Sequence, residues 1–141
     1  ELLAVLETLG EFIAEHPKVR LVVIDSVAFH FRQDFQDMAL RTTILSKMTN
    51  RLMSIATARQ VAVVTVNQVT VKPQRDGPAR LVPALGESYA HACTTRVILS
   101  WENDDRVAFI TKSPRLAQAR AKYTITAGGV RDVRGVKRAP S

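Results

Sequence analysis

Two short β-branched runs constrain the fold more than any other feature of the sequence: Val19 to Asp25 (Val-Arg-Leu-Val-Val-Ile-Asp) and Val61 to Val66 (Val-Ala-Val-Val-Thr-Val). Each is an almost unbroken apolar stretch of strand length. That pattern reads as a buried parallel strand, because a strand covered on both faces has no polar side. Between the runs, Met38, Leu40, Ile44, Leu45, Met48, Leu52 and Ile55 recur at helical spacing, and Asp37 is placed to cap the helix N-terminus. Met38, Met48 and Met53 are assigned to packing of that helix. Ahead of the first run, Leu2, Leu3, Val5, Leu6, Leu9, Phe12 and Ile13 mark an amphipathic helix that His16-Pro17 stops. Helix, strand, helix, strand implies βαβ crossovers and an α/β fold: a mostly parallel sheet flanked by helices.

The remainder is read more coarsely. Ala28 to Asp37 is expected to be a polar, aromatic-dotted loop. Thr70 to Pro83 holds three prolines and a glycine, is too long for a turn, and is expected to be a functional loop. A short helix around Glu87 to Ala92 should precede a C-terminal antiparallel hairpin, Thr95 to Trp101 with Arg106 to Thr111, turned by Glu102-Asn103-Asp104-Asp105. Lys122 to Thr126 offers one more strand, with Gly128-Gly129 as the turn after it. Residues 1–132 are expected to be one domain, and 133–141 a basic flexible tail.

At 141 residues, 46% apolar and 23% charged, the chain suits a single globular core, and no apolar run approaches the ~18 residues of a membrane span. A soluble protein without a membrane role is expected. Cys93 is the sole cysteine, so no internal disulfide can form, which fits a reducing compartment. With Glu1 in place of Met and no basic-then-apolar leader, an internal piece of a longer protein is expected. The net charge of +7 is unevenly placed: cations and anions balance at twelve each through Thr111, and eight cations face Asp132 alone from Lys112 onward. Such a segment attracts polyanions, nucleic acid first among them, unless it is a solvated tail.

Asp25 stands out chemically. A carboxylate at the C-terminal end of a buried parallel strand sits where open α/β sheets bind ligands. In nucleotide-hydrolysing proteins that position orders Mg²⁺ on the β- and γ-phosphates; the alternative is an Asp that caps the next turn. Ser26 could cap that turn or hydrogen-bond a metal-bound water. Asn67-Gln68 repeats the theme after the second strand, where an amide can reach a phosphate oxygen or an attacking water, or simply satisfy its own loop. His91, flanked by alanines, reads first as a packed residue, and Cys93 has no partner at zinc-ligand spacing. No Gly-x-x-x-x-Gly-Lys-Ser/Thr phosphate loop occurs in these residues. The chain is therefore expected to be a fragment, with a Gly-Lys-Thr loop roughly 80 to 100 positions upstream, poor ATP binding by itself and marginal stability.

Five strings in one order resemble the second half of the RecA/RadA-type eukaryotic recombinases: Leu21 to Ser26, Val66 to Val69, Ala90 to Arg96, Lys112-Ser113-Pro114, and Ala127 to Asp132. The string Leu81 to Ser88, with Phe29 to Arg32, looks most like the paralogue branch lettered C. The resemblance spans roughly Leu2 to Asp132. It implies a RecA-like P-loop NTPase core lacking its Walker A strand and loop, with ATP and Mg²⁺ as cofactors. Asp25 matches the Walker B carboxylate, and Gln68 the γ-phosphate sensor that opens the second DNA-binding loop, here Val69 to Pro83. Lys72, Arg75 and Arg80 would face DNA phosphate, and the stretch from Arg32 to Asp37 resembles the first DNA-binding loop. His91 matches a histidine near the γ-phosphate at a subunit interface. Lys112-Ser113-Pro114 matches the cap laid over a neighbour's ATP, with Lys112 where strand-exchange recombinases usually carry Asp, so a fixed ammonium would replace a mobile cation. The second loop is shorter and poorer in glycine than a strand-exchange recombinase's, which points to a supporting role.

The implied function is a nuclear, DNA-dependent ATPase of homologous recombination, binding single-stranded or branched DNA and other recombinase paralogues through ATP interfaces. Two alternatives remain: an assembly module that binds ATP without turnover, and another RecA-fold ATPase such as a hexameric helicase or clock-type protein, which the Leu81 to Ser88 string disfavours.

Overall fold

The computed structural model describes residues 2–31, 37–74 and 77–133, without the side chains of residues 2, 30, 74, 78–81, 87 and 88. The described residues fall into two compact units divided between Ala92 and Cys93.

The first unit opens with helix α1 (Leu2–Glu15), which Pro17 cannot continue because it lacks the amide donor. Strand β1 (Leu21–Asp25) follows, then a short helix α2 (Val27–His30) and the long helix α3 (Met38–Arg59). Asp37 caps α3 as expected: its Oδ1 accepts from the amides of Ala39 at 2.8 Å and Leu40 at 3.1 Å. Gln60 ends the helix in the left-handed conformation, φ 54°. Strand β2 (Ala62–Val66) then pairs with β1 in parallel, Leu21 opposite Ala62 and Asp25 opposite Val66. Ile13, Ile55 and Val61 form a buried cluster against which Leu9, Val19, Val22 and Val63 pack. Leu6, Leu45, Met48 and Leu52 extend the buried set along the helices.

Three expectations need correction here. The strand pair is covered on one face only; Leu21, Val23, Val64 and Val66 are exposed within this chain, since a run of β-branched residues looks the same whether one face or two are buried. Met48 is fully buried, but Met38 and Met53 are exposed, because they lie off the stripe that α3 presents to α1. Val27 and Ala28 are fully buried in α2, so the expected loop after Asp25 begins as a helix that packs.

The segment expected to be a loop is also ordered. Strands β3 (Val69–Gln74) and β4 (Gly77–Pro83) form an antiparallel ribbon, Val69 opposite Pro83, with a register irregularity between Lys72 and Gln74. Pro73 sits in that irregularity. In a two-stranded ribbon every strand is an edge, so proline is tolerated and did not mark a loop. Helix α4 (Gly86–Ala92) closes the unit.

The second unit is a four-stranded antiparallel sheet: β5 (Arg96–Glu102), β6 (Asp105–Lys112), β7 (Ala119–Thr126) and β8 (Gly129–Asp132), in that spatial order. The expected hairpin is β5–β6, turned at Asn103-Asp104 with Asn103 at φ 54°, a left-handed conformation asparagine tolerates. Gly129 enters β8 at φ 98°, where a side chain would be strained. With one parallel pair and six strands in antiparallel pairs, the described residues do not form the mostly parallel sheet expected. Local hairpins rather than crossovers connect most of the strands.

Candidate functional site

Parallel strands end at the same edge, and this places the candidate residues. Asp25 is the last residue of β1 and is opposite Val66, the last residue of β2, so Asp25-Ser26 and Asn67-Gln68 leave the sheet side by side. Asp25 is exposed, and the Asp25–Ser26 peptide bond is cis. Ser26 precedes α2 in extended conformation and its hydroxyl makes no capping hydrogen bond. Of its two readings, turn capping is therefore not the one this geometry uses.

The Asn67 Oδ1 accepts from the Gln68 amide at 2.9 Å, so Asn67 satisfies its own turn. Gln68 is exposed, and its carbonyl accepts from the Ala84 amide at 2.8 Å, closing the base of the β3–β4 ribbon. Lys72 is exposed on β3, with the Arg80 backbone opposite it on β4. The Arg80 side chain, and Arg32 and Arg75 entirely, lie outside the described residues.

His91 occupies the last turn of α4 and is exposed. Its helix is tied to β2 by the Tyr89 hydroxyl, which donates to Thr65 Oγ1 at 2.8 Å. Sequence reasoning missed this contact. A tyrosine one residue before Ala90-His91 was the available signal, since a buried phenol needs a hydrogen-bond partner.

Lys112-Ser113-Pro114 belongs to the second unit, at the end of β6. Ser113 Oγ accepts from the amides of Arg115 at 3.3 Å and Leu116 at 3.2 Å, a serine turn that fixes the chain as it leaves the sheet. The Thr111 hydroxyl accepts from Arg96 Nε at 2.9 Å, and its carbonyl accepts from the Gln118 side-chain Nε2 at 3.1 Å. Lys112 is half-buried beside this braced corner.

A groove of about 150 Å³ between α3 and α4, lined by Leu45, Thr49, Leu85 and Tyr89, includes neither Asp25 nor Gln68. Among the described residues no three His, Cys, Asp or Glu side chains gather as a metal cage. A single strand-end carboxylate suits Mg²⁺, which keeps most of its waters and takes one or two carboxylates together with phosphate oxygens. Asp25 fits such a contribution. The phosphate-cradling loop that would complete a triphosphate site is not among these 141 residues.

The Rad51 family model matches residues 1–133. The chain belongs to the Rad51 family. It is 42% identical over 132 residues to DNA repair protein RAD51 homolog 3 of Cricetulus griseus, covering 94% of this chain and 36% of that relative. The homolog 3 protein of Dictyostelium discoideum is 40% identical over 134 residues, 94% of this chain and 35% of the relative. A meiotic recombination protein DMC1 homolog of Arabidopsis thaliana is 35% identical over 131 residues, 86% of this chain and 37% of the relative. The chain thus spans little more than a third of the length of these Rad51-family relatives, all named for DNA repair or recombination. Among the described residues no helix is long and apolar enough to cross a membrane.

Proposed function

We propose that this chain is part of an ATP-dependent recombinase paralogue that acts on DNA in homologous recombination and double-strand break repair, as a nuclear subunit of a paralogue complex. The observation that carries the reading is the register of β1 and β2, which brings Asp25 and Gln68 out at one edge of the sheet. Asp25 would help hold Mg²⁺, with Ser26 hydrogen-bonding a metal-bound water. Mg²⁺ held there would supply charge neutralisation to a bound triphosphate. Gln68 would face the γ-phosphate while its backbone carbonyl anchors the ribbon that follows. Nucleotide state and ribbon conformation would then be coupled through one residue. His91 would lie near the same phosphate. Lys112, Ser113 and Pro114 would form a braced cap over a neighbouring subunit's ATP. Lys72, Arg75 and Arg80 from the ribbon, and Arg32 ahead of α3, would meet DNA phosphates; each contributes affinity that falls with salt.

The full polypeptide is read as a DNA-dependent ATPase and this segment by itself as inactive. Asp25→Asn in this subunit alone, within the purified complex, should lower DNA-stimulated ATP turnover on the order of 100-fold, equivalent to about 2.7 kcal/mol of lost transition-state stabilisation. Unchanged turnover with the complex intact would instead favour an assembly module that binds nucleotide without using it.

A further inference from the structure

A side-chain hydrogen bond joins β2 to α4: the Tyr89 hydroxyl donates to Thr65 Oγ1 at 2.8 Å, across 24 residues of sequence. Tyr89 is 5% exposed, and its neighbours Leu85 and Ala90 are 5% and 4% exposed, so the ring is held by packing. A phenol buried in this way has given up its water, and Thr65 supplies a replacement acceptor. Thr65 is placed where movement would matter. It pairs with Ile24, the residue before Asp25, and lies one residue from the end of the strand that Asn67-Gln68 follow. On the other side, the Ala84 amide donates to the Gln68 carbonyl at 2.8 Å, and α4 starts two residues later at Gly86. The chain therefore leaves β2 at Val66, passes Asn67-Gln68, runs out and back through the β3–β4 ribbon, and meets β2 again through Tyr89.

We propose that Tyr89 is a positioning residue: its hydrogen bond to Thr65 clamps α4 onto β2, fixing the base of the β3–β4 ribbon and the placement of Gln68 and His91. The proposal rests on the ATP reading of Gln68 and His91 for its functional consequence, but not for the clamp itself. Because only Ala84 and Leu85 separate the ribbon from α4, displacement of the helix has no slack in which to be absorbed. Loss of one hydroxyl should loosen the ribbon base and weaken the link between nucleotide and DNA binding.

Tyr89→Phe keeps the ring and removes the donor; Thr65→Val keeps the shape and removes the acceptor. In the full polypeptide, each should speed amide hydrogen exchange at Ala84 and through β3–β4 about tenfold, the size of one neutral hydrogen bond, and leave β5–β8 unaffected. The double variant should cost less than the sum of the two single ones, because both remove the same bond. The gain in affinity for a single-stranded oligonucleotide on adding Mg-ATP, at fixed salt, should shrink severalfold while affinity for ATP is retained. Unchanged exchange at Ala84 in both single variants overturns the clamp, whatever ATP does. Faster exchange with the full Mg-ATP gain retained overturns the positioning role. Should the unaltered protein show no such gain, or Asp25→Asn preserve it, the ATP reading fails and the clamp is decided by the exchange result.

Discussion

The β1–β2 pair of the first unit and the sheet of the second solve strand pairing in opposite ways. In the first, β1 and β2 meet only after α3 has been laid between them, so that Leu21 finds Ala62 far along the chain. In the second, Glu102 finds Asp105 across a two-residue turn, and each later strand folds back on its neighbour. The parallel pair brings two C-terminal strand ends together, which is what a ligand site at a sheet edge requires. It is not self-supporting: Val22 and Val63 pack on a buried cluster in which Ile13 and Ile55 come from helices and Val61 from the residue before β2. The hairpin sheet needs less help. Val107 is its only fully buried side chain among the described residues, and Arg106 over Trp101 and Arg120 over Phe109 bind strand to strand along its surface. Placement of Asp25 and Gln68 thus depends on hydrophobic packing remote from both, whereas the corner at Lys112 depends on local pairing.

That contrast breaks if core deletions do not stay within their own unit. Met48→Ala should have the largest effect, about 3 kcal/mol in equilibrium denaturation of the full polypeptide, since Met48 is 0% exposed and the cavity left between α3 and its neighbours cannot easily collapse. Hydrogen exchange should accelerate in α1, α3, β1 and β2 and be unchanged in β5–β8. Val107→Ala, at 1% exposed, should cost about 2 kcal/mol and show the reverse pattern. Loss of protection in both units from either substitution would mean that they unfold as one, and that the difference in pairing has no energetic counterpart.

What the sequence revealed follows the same division. Features written in neighbouring residues were legible: the stop at His16-Pro17, the Asp37 cap, the Glu102 to Asp105 turn, and the strand ending in Asp25. Features decided by remote packing were not. Nothing local says that Leu21 and Val23 face outward while Val22 packs inward, or that Met38 and Met53 miss the stripe that buries Met48. The β3–β4 ribbon was obscured by composition, because Pro73 and the Gly77-Pro78 pair look like loop chemistry although Val69-Thr70-Val71 and Leu81-Val82 are good strand residues. At the candidate site, the common edge of Asp25 and Gln68 followed from the parallel reading. The Tyr89–Thr65 bond needed α4 to be folded against β2 before it could be seen.

The smallest expected effect concerns charge, and it sharpens the same contrast. Among the described residues the first unit carries one ion pair, Arg51 with Glu7 at 3.3 Å between α3 and α1, and the second carries two, Arg120 with Glu102, and Lys122 with Asp105 at 2.7 Å between β7 and β6. Glu7 is 72% exposed and Lys122 61%, against 17% for Asp105, so water screens the first pair and, from the lysine side, the last. Lys122→Ala should therefore cost about 0.5 kcal/mol or less, and Glu7→Ala the same. Both effects should vanish on raising the salt to about 1 M, where charges are screened within ~3 Å. A loss near that of Val107→Ala, abolished at high salt, would show that the sheet is held by its surface ion pairs rather than by Val107 and the backbone ladder. The distinction between a helix-supported pair and a locally folded sheet would then rest on electrostatics rather than on where apolar side chains are buried.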